Sequence, residues 1–166
     1  YTTTSQRGVL QEREIFAAKL GLIALSGGVR GHLWSLLNNG DLEQGLQRAQ
    51  RWQSQFGDAY YLEVTRCGRT DEEQHLRRIL DIAALSGIGV VATNDVCFAE
   101  PEDFEAHEAR VCINEGRTLN DGRRERRYSE WQSLRSPREM LELFRDVPAA
   151  LTNAVEIAKR CNVCLL

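Results

Sequence analysis

Short apolar runs alternate with amphipathic stretches along this chain, and the alternation predicts its elements one by one. Residues 10–19 read as a helix. Leu22, Ile23, Ala24 and Leu25 form an apolar run that stops at Ser26-Gly27-Gly28, the pattern of a buried strand followed by a turn. A helix is expected near Val29–Leu37. A longer one is expected over Leu42–Phe56, with Asp41 as its N-cap and Leu42, Leu46, Ala49, Trp52 and Phe56 at helical spacing. Tyr60–Val64 reads as a strand. Thr70-Asp71-Glu72-Glu73 has the form of a capping box opening a helix whose apolar face is Leu76, Ile79, Leu80 and Ala83 and which ends near Gly87. Ile88, Val90, Val91 and Ala92 form a further strand, continuous in apolar character as parallel strands are. Helices then follow over Pro101–Asn114, from the Ser136-Pro137-Arg138-Glu139 box, and after Asp146 as a cap, the last with a stripe of Leu151, Val155, Ala158 and Cys161. Three strands with helices between and after them give an α/β chain with a parallel sheet. There is no internal repeat and no low-complexity linker.

The 166 residues suffice for one domain with its own core. A net charge of -3 argues against a broad basic face for duplex DNA. Arg123, Arg124, Arg126 and Arg127 do cluster, but Asp121 and Glu125 dilute them, and a solvated loop is expected there. The cysteine count is odd, at five, and the spacing irregular, which fits reduced thiols in the cytoplasm rather than a disulfide framework. Cys161 and Cys164 make one CxxC, half of what a tetrahedral zinc site requires, so Cys161 is expected to be a buried residue of the last helix. No apolar run approaches the ~20 residues that span a bilayer. The chain starts at a tyrosine, which suggests a piece of a longer protein.

Chemistry in parallel sheets gathers at the carboxyl ends of strands. Two such ends carry candidates: Glu63 with Cys67, and Asp95 with Cys97. Carboxylates there can hold divalent metals that activate water for phosphoester hydrolysis. Equally, Glu63 can pair with an arginine and Asp95 can cap a turn. The Ser26–Gly31 segment (SGGVRG) could cradle a phosphate, but it lacks the Gly-Lys-Ser/Thr ending, and a glycine turn is the simpler reading. His107, on the helix after the second strand end, is a packing residue or a rim ligand. His32 and His75 are expected at the surface.

Several segments, in order, carry a resemblance. They are Gly21–Gly28 (GLIALSGG), Tyr61-Leu62-Glu63 followed by Gly68-Arg69, Val90–Val96 (VVATNDV), Ala106-His107-Glu108, Arg110–Ile113 (RVCI) and Asn153–Cys161 (NAVEIAKRC). Together they resemble the PHP (polymerase and histidinol phosphatase) domain of the bacterial replicative DNA polymerase III alpha subunits, over about Leu10 to Leu166. No single segment is decisive; the order and spacing are. The resemblance implies a distorted (β/α)7 barrel with a metal cluster at its carboxyl rim. It implies an opening His-x-His strand, which this sequence lacks, so residues 1–166 correspond to about the carboxyl-terminal two-thirds of the domain, without the first strands. Glu63 and Asp95 match the family's metal-site glutamate and aspartate, whereas Cys67 and Cys97 stand where metal-keeping members have histidines. A degenerate, empty metal site is therefore expected at these four residues, with zinc or manganese only if the site is retained.

For the parent protein, the resemblance implies templated DNA synthesis in the cytoplasm, with magnesium, DNA and dNTPs. This segment holds none of the polymerase aspartates and is expected to be non-catalytic and cofactor-free. Its implied role is to stabilise the polymerase core and dock the proofreading exonuclease subunit, epsilon. The alternatives are a metal-dependent phosphoesterase or 3'-5' exonuclease of the PHP type, or the PHP domain of the error-prone alpha homologue.

Overall fold

Parallel pairing of three strands organises the molecule, for which a computed structural model describes residues 10–164. The strands are β1 (Ala24–Leu25), β2 (Tyr60–Thr65) and β3 (Gly89–Thr93), in the order β1-β2-β3. Ala24 lies opposite Tyr60, and the β2–β3 register runs from Tyr61 opposite Gly89 to Thr65 opposite Thr93. Seven helices are described: α1 (Glu12–Ala17), α2 (Trp34–Asn38), α3 (Leu42–Phe56), α4 (Glu72–Ser86), α5 (Phe104–Glu115), α6 (Pro137–Leu143) and α7 (Pro148–Arg160). The expected α/β class with a parallel sheet is observed; the sheet is open, not a closed barrel, among the described residues. Residues 1, 165 and 166 of the expected domain lie outside them, as do residues 2–9.

One face of the sheet makes the core. Along β2, Tyr60, Leu62 and Val64 point into it, and Val90 and Ala92 join from β3. The helices cover them with Ala49, Trp52 and Phe56 from α3 and Leu76, Ile79 and Ile82 from α4. The α3 helix begins as its sequence requires: the Asp41 carboxylate accepts the Gln44 N–H at 2.9 Å. The Ser136 box also forms, its hydroxyl accepting the Glu139 N–H at 3.3 Å.

Elsewhere tertiary contacts override local signals. The Val29–Leu37 helix is split into a 3-10 turn, Gly28–Arg30, and the short α2. No capping box forms at Thr70: α4 starts after Asp71, and the Glu73 carboxylate that the box requires is bound by Arg66 at 2.7 Å. Asp146 does not cap α7; it pairs with Arg66. The inner face of α7 is Ala150, Leu151, Asn153, Ala154 and Ile157, so Val155, Ala158 and Cys161 face outward, and Cys161 is exposed rather than buried. His75 is buried against the Trp34 ring at 4.5 Å, and His32 is half-buried, stacked on Trp52 at 4.8 Å. Burial, then neighbouring arginines (Arg48 for His32, Arg78 for His75), lowers both imidazoles to about 4.

Arg66 fastens the end of β2 to the helices. Its guanidinium donates to Glu73 at 2.7 Å, to both oxygens of Asp146 at 2.6 and 2.8 Å and to the Leu143 carbonyl at 2.6 Å, and lies over the Phe144 ring. Hydrogen bonding to Arg66 lowers the Asp146 carboxyl to about 2. Arg66→Ala should cost about 1–3 kcal/mol in denaturant unfolding, the range for charge-assisted bonds whose partners stay near water. The Asp146 share is present above the ordinary carboxylate pKa of about 4 and is lost as pH falls towards 2, so this acid-dependent slope in stability should vanish in the variant.

Candidate functional site

Because β2 and β3 run parallel, their carboxyl ends open onto one rim. Alternation along β2 turns Glu63 away from the apolar core. There its carboxylate accepts the Thr93 hydroxyl at 2.6 Å and the Gly27 N–H at 3.1 Å, while the Glu63 N–H donates to the Ser26 hydroxyl at 2.8 Å. Glu63 thus stitches all three strand ends together. The loop after β1 is a glycine turn: Gly27 has φ +89, and a Cβ at Gly31 would lie 1.8 Å from the Ser26 carbonyl oxygen. Its backbone faces Glu63, a carboxylate, which disfavours a phosphate cradle.

Asp95 sits two residues past the end of β3, at φ 44, a left-handed conformation that short polar side chains tolerate. Its carboxylate binds two guanidinium groups, Arg30 at 2.5 Å and Arg69 at 2.6 Å. A third donor, the Gln132 amide, reaches the same carboxylate and the Asp95 carbonyl, each at 3.1 Å. The two simple readings of these carboxylates are therefore exchanged: Asp95 pairs with arginines, and Glu63 ties down a turn.

Cys67 is buried, and its thiol donates to the Asn94 carbonyl at 3.1 Å. Burial, then the Glu72 charge, pushes the thiol up to about 12. Glu72 organises the loop after β2: it accepts the Thr65 hydroxyl, the Cys67 N–H at 2.5 Å and an Arg69 N–H of the side chain at 3.4 Å. Cys97 is half-buried beside the Gln132 amide at 3.3 Å, and burial raises its thiol. A strap over Ser129–Arg135 covers this rim. Asn94 donates to the Trp131 and Ser133 carbonyls at 3.1 and 2.7 Å, and the Cys97 N–H donates to Gln132 at 2.8 Å.

Two cavities open here. One of about 270 Å³ lies between Glu63, Thr65, Asp95, Arg30 and the Gly27-Gly28 turn. The other, about 650 Å³, has Arg30, Arg69, Asp95, Arg110, Arg127 and Tyr128 on its walls. His107 borders the larger one, but it is buried and packs edge-on to Tyr128 at 4.6 Å. The Arg-rich run is only partly a solvated loop: the Arg124 side chain is 4% exposed and pairs with buried Glu108 at 2.5 Å. Among the described residues, no three His, Cys, Asp or Glu side chains gather as metal ligands would.

Sequence reasoning found Glu63, Asp95, Cys67 and Cys97 and put them on one rim, where they lie. It missed Arg30, Arg69, Glu72 and Gln132. Arg30 and Arg69 follow their strands within a few residues of a glycine, a visible signal; Gln132 comes from a distant loop and left none.

No family model matches the chain. It is 47% identical over 156 residues to the DNA polymerase III subunit alpha of Pseudomonas aeruginosa, covering 93% of this chain and 13% of that protein. It is 52% identical to the Vibrio cholerae subunit and 49% to that of Escherichia coli, each over 143 residues, 86% of this chain and 12% of the relative. Over most of its length the chain is thus similar to one segment of bacterial DNA polymerase III alpha subunits. It spans about an eighth of the length of these alpha subunits, 12–13%. No described helix is long and apolar enough to cross a membrane.

Two outcomes test this geometry. Asp95→Asn keeps the shape and the tolerance for positive φ but removes the charge shared by Arg30 and Arg69; it should lower unfolding stability by about 1–3 kcal/mol, read from the denaturation midpoint. In thiol titration at pH 8, Cys161 and Cys164, which are exposed, should react at once, whereas Cys67 and Cys112, both buried, should react only at the rate of unfolding. Rapid modification of Cys67 in the folded chain would contradict its placement.

Proposed function

We propose that this chain is part of the PHP domain of a bacterial DNA polymerase III alpha subunit, a cytoplasmic enzyme that synthesises DNA on a template, and that the segment serves as a non-catalytic scaffold. On this reading its three strands are consecutive members of a distorted (β/α)7 barrel. It stabilises the polymerase core and docks the proofreading exonuclease subunit, epsilon, while magnesium, DNA and dNTPs are handled by the rest of the enzyme.

The observation that carries the scaffold reading is the Asp95 carboxylate held by two guanidinium groups. In a hydrolytic centre that carboxylate would face a divalent cation and its bound water. Here fixed cations of the protein occupy its coordination directions, which suits structure and not metal exchange. The other donors agree. The Cys67 thiol is raised to about 12, so it would have to ionise against its surroundings to ligate zinc, and Glu63 is engaged by Thr93 and Gly27. Arg30, Arg69 and Glu72 tie the loops of all three strands into one rigid rim, a footing for neighbouring domains.

The full-length alpha subunit tests this. After dialysis, elemental analysis should give well under one zinc or manganese per chain, and added manganese should leave phosphodiester hydrolysis at background. Purified epsilon should bind the intact subunit and lose binding when this segment is deleted. A stoichiometric metal that disappears in Asp95→Asn together with hydrolysis would establish an active PHP phosphoesterase instead.

A further inference from the structure

The outer edge of β3 pairs with no strand among the described residues. Which β3 residues face that edge follows from the ladder. On β2 the Tyr61 carbonyl accepts the Ser26 N–H at 3.0 Å, on the β1 side, so its neighbour Leu62 turns its backbone to β3. In a parallel pair Leu62 then bonds the residues flanking its register partner, Val90, and Val90 itself points away from β2. A bare edge of this kind is a template for any extended chain that can supply the missing bonds.

A helix stands there instead. α7 packs against β3 with Ala150 fully buried, and the Asn153 side-chain amide donates to the Val90 carbonyl at 2.7 Å. Strand carbonyls lie near the plane of their sheet, so an amide that reaches one pointing away from β2 comes in from the edge. Gly89 makes the room: a Cβ there would sit 3.1 Å from the Tyr61 ring and 3.4 Å from the Asn153 amide nitrogen. Gly68 makes room for the Trp131 ring in the same manner, a Cβ there falling 2.8 Å from it. At the far end of α7, Arg160 donates to the Tyr61 hydroxyl at 2.9 Å and to the Asp58 carbonyl at 3.1 Å, which fixes the helix along the edge. Asn153 is the polar member of an inner face otherwise made of Ala150, Leu151, Ala154 and Ile157, and the bond to Val90 is what offsets its burial.

We propose that α7 guards the outer edge of β3 against strand addition, that Asn153 is the residue that closes it, and that the chain kept out is the same edge of a second copy. From Ile88 to Asn94 the sequence holds no charge and no proline, and Val90, Val91 and Thr93 are β-branched, the composition that pairs edge to edge. The charges and prolines that commonly blunt an edge are thus absent from β3, and its protection rests on the helix. The guard concerns this edge alone and stands whether or not the three strands belong to a barrel.

The test uses the full-length alpha subunit, its fold checked by primer extension, and a labelled peptide of residues 88–94 (IGVVATN) as the incoming strand. Asn153→Asp keeps the shape but sets an acceptor against the Val90 carbonyl, and Asn153→Ala removes the donor. Unaltered alpha should leave the peptide free and sediment as one species. Both variants should bind the peptide at least about tenfold more tightly and self-associate as concentration rises, because a buried bond that holds the edge closed is gone. In the associated form hydrogen exchange should show the β3 amides gaining protection. A readout without variants is unaltered alpha in mild denaturant, where peptide binding should set in together with exchange of the α7 amides. Peptide capture while α7 is still protected overturns the guard, as does α7 exchanging with no capture. Variants that extend primers yet stay monomeric and leave the peptide free overturn it equally.

Discussion

A single carboxylate, that of Asp95, gathers the three loops at the carboxyl end of the sheet. Its charge is claimed by one guanidinium from the loop after β1 and another from the loop after β2, while it lies itself just beyond β3. Three loops that share no sequence neighbourhood are thus held to one point. The Gln132 amide, fully buried, brings in the strap as a fourth element and is itself completely used, which is the condition under which a buried polar network orders a structure. The left-handed backbone at Asp95, φ 44, falls at the residue that carries this cluster.

Beneath this polar layer the sheet is ordinary. Tyr60, Leu62 and Val64 face α3 and α4 on one side, and the alternation that buries them leaves Glu63 on the other. The two layers are coupled through Glu72. It opens α4, whose apolar face packs on the sheet, and its carboxylate fixes the loop that carries Cys67 and Arg69. Arg66 does for α6 and α7 what Glu72 does for α4. The rim is therefore anchored in the core, and charge at the surface reports on packing below.

Much of the fold was legible in the sequence where local and tertiary preferences agree. Leu42–Phe56 has a cap, a stripe and a length that all say helix, and β2 and β3 are apolar runs bounded by turns. Reading failed where a polar residue had a stronger partner far along the chain. Thr70 and Asp146 look like caps, but their segments answer to Glu72 and Arg66 instead, and no local pattern announces bonds to residues such as Leu143, 77 positions away. The face of α7 was misjudged by part of a turn because Asn153, a polar residue, points inward to the Val90 carbonyl at 2.7 Å and shifts the stripe. The histidines erred similarly: polarity put them outside, yet Trp34 and Trp52 offered flat partners that an uncharged imidazole fills. The site was legible as a set of carboxylates and cysteines at strand ends. Its counter-charges were not, since pairing depends on which loops the topology brings together.

The close seat of Trp131 on Gly68 constrains how this surface can change over generations. A side chain at position 68 would meet an indole at 2.8 Å and would also demand φ +75 of an L residue. Loss of the tryptophan would relieve the contact but not the backbone demand, so glycine is required at 68 with or without the indole. The dependence runs one way: the seat of the tryptophan needs the glycine, whereas the glycine is needed by its own backbone.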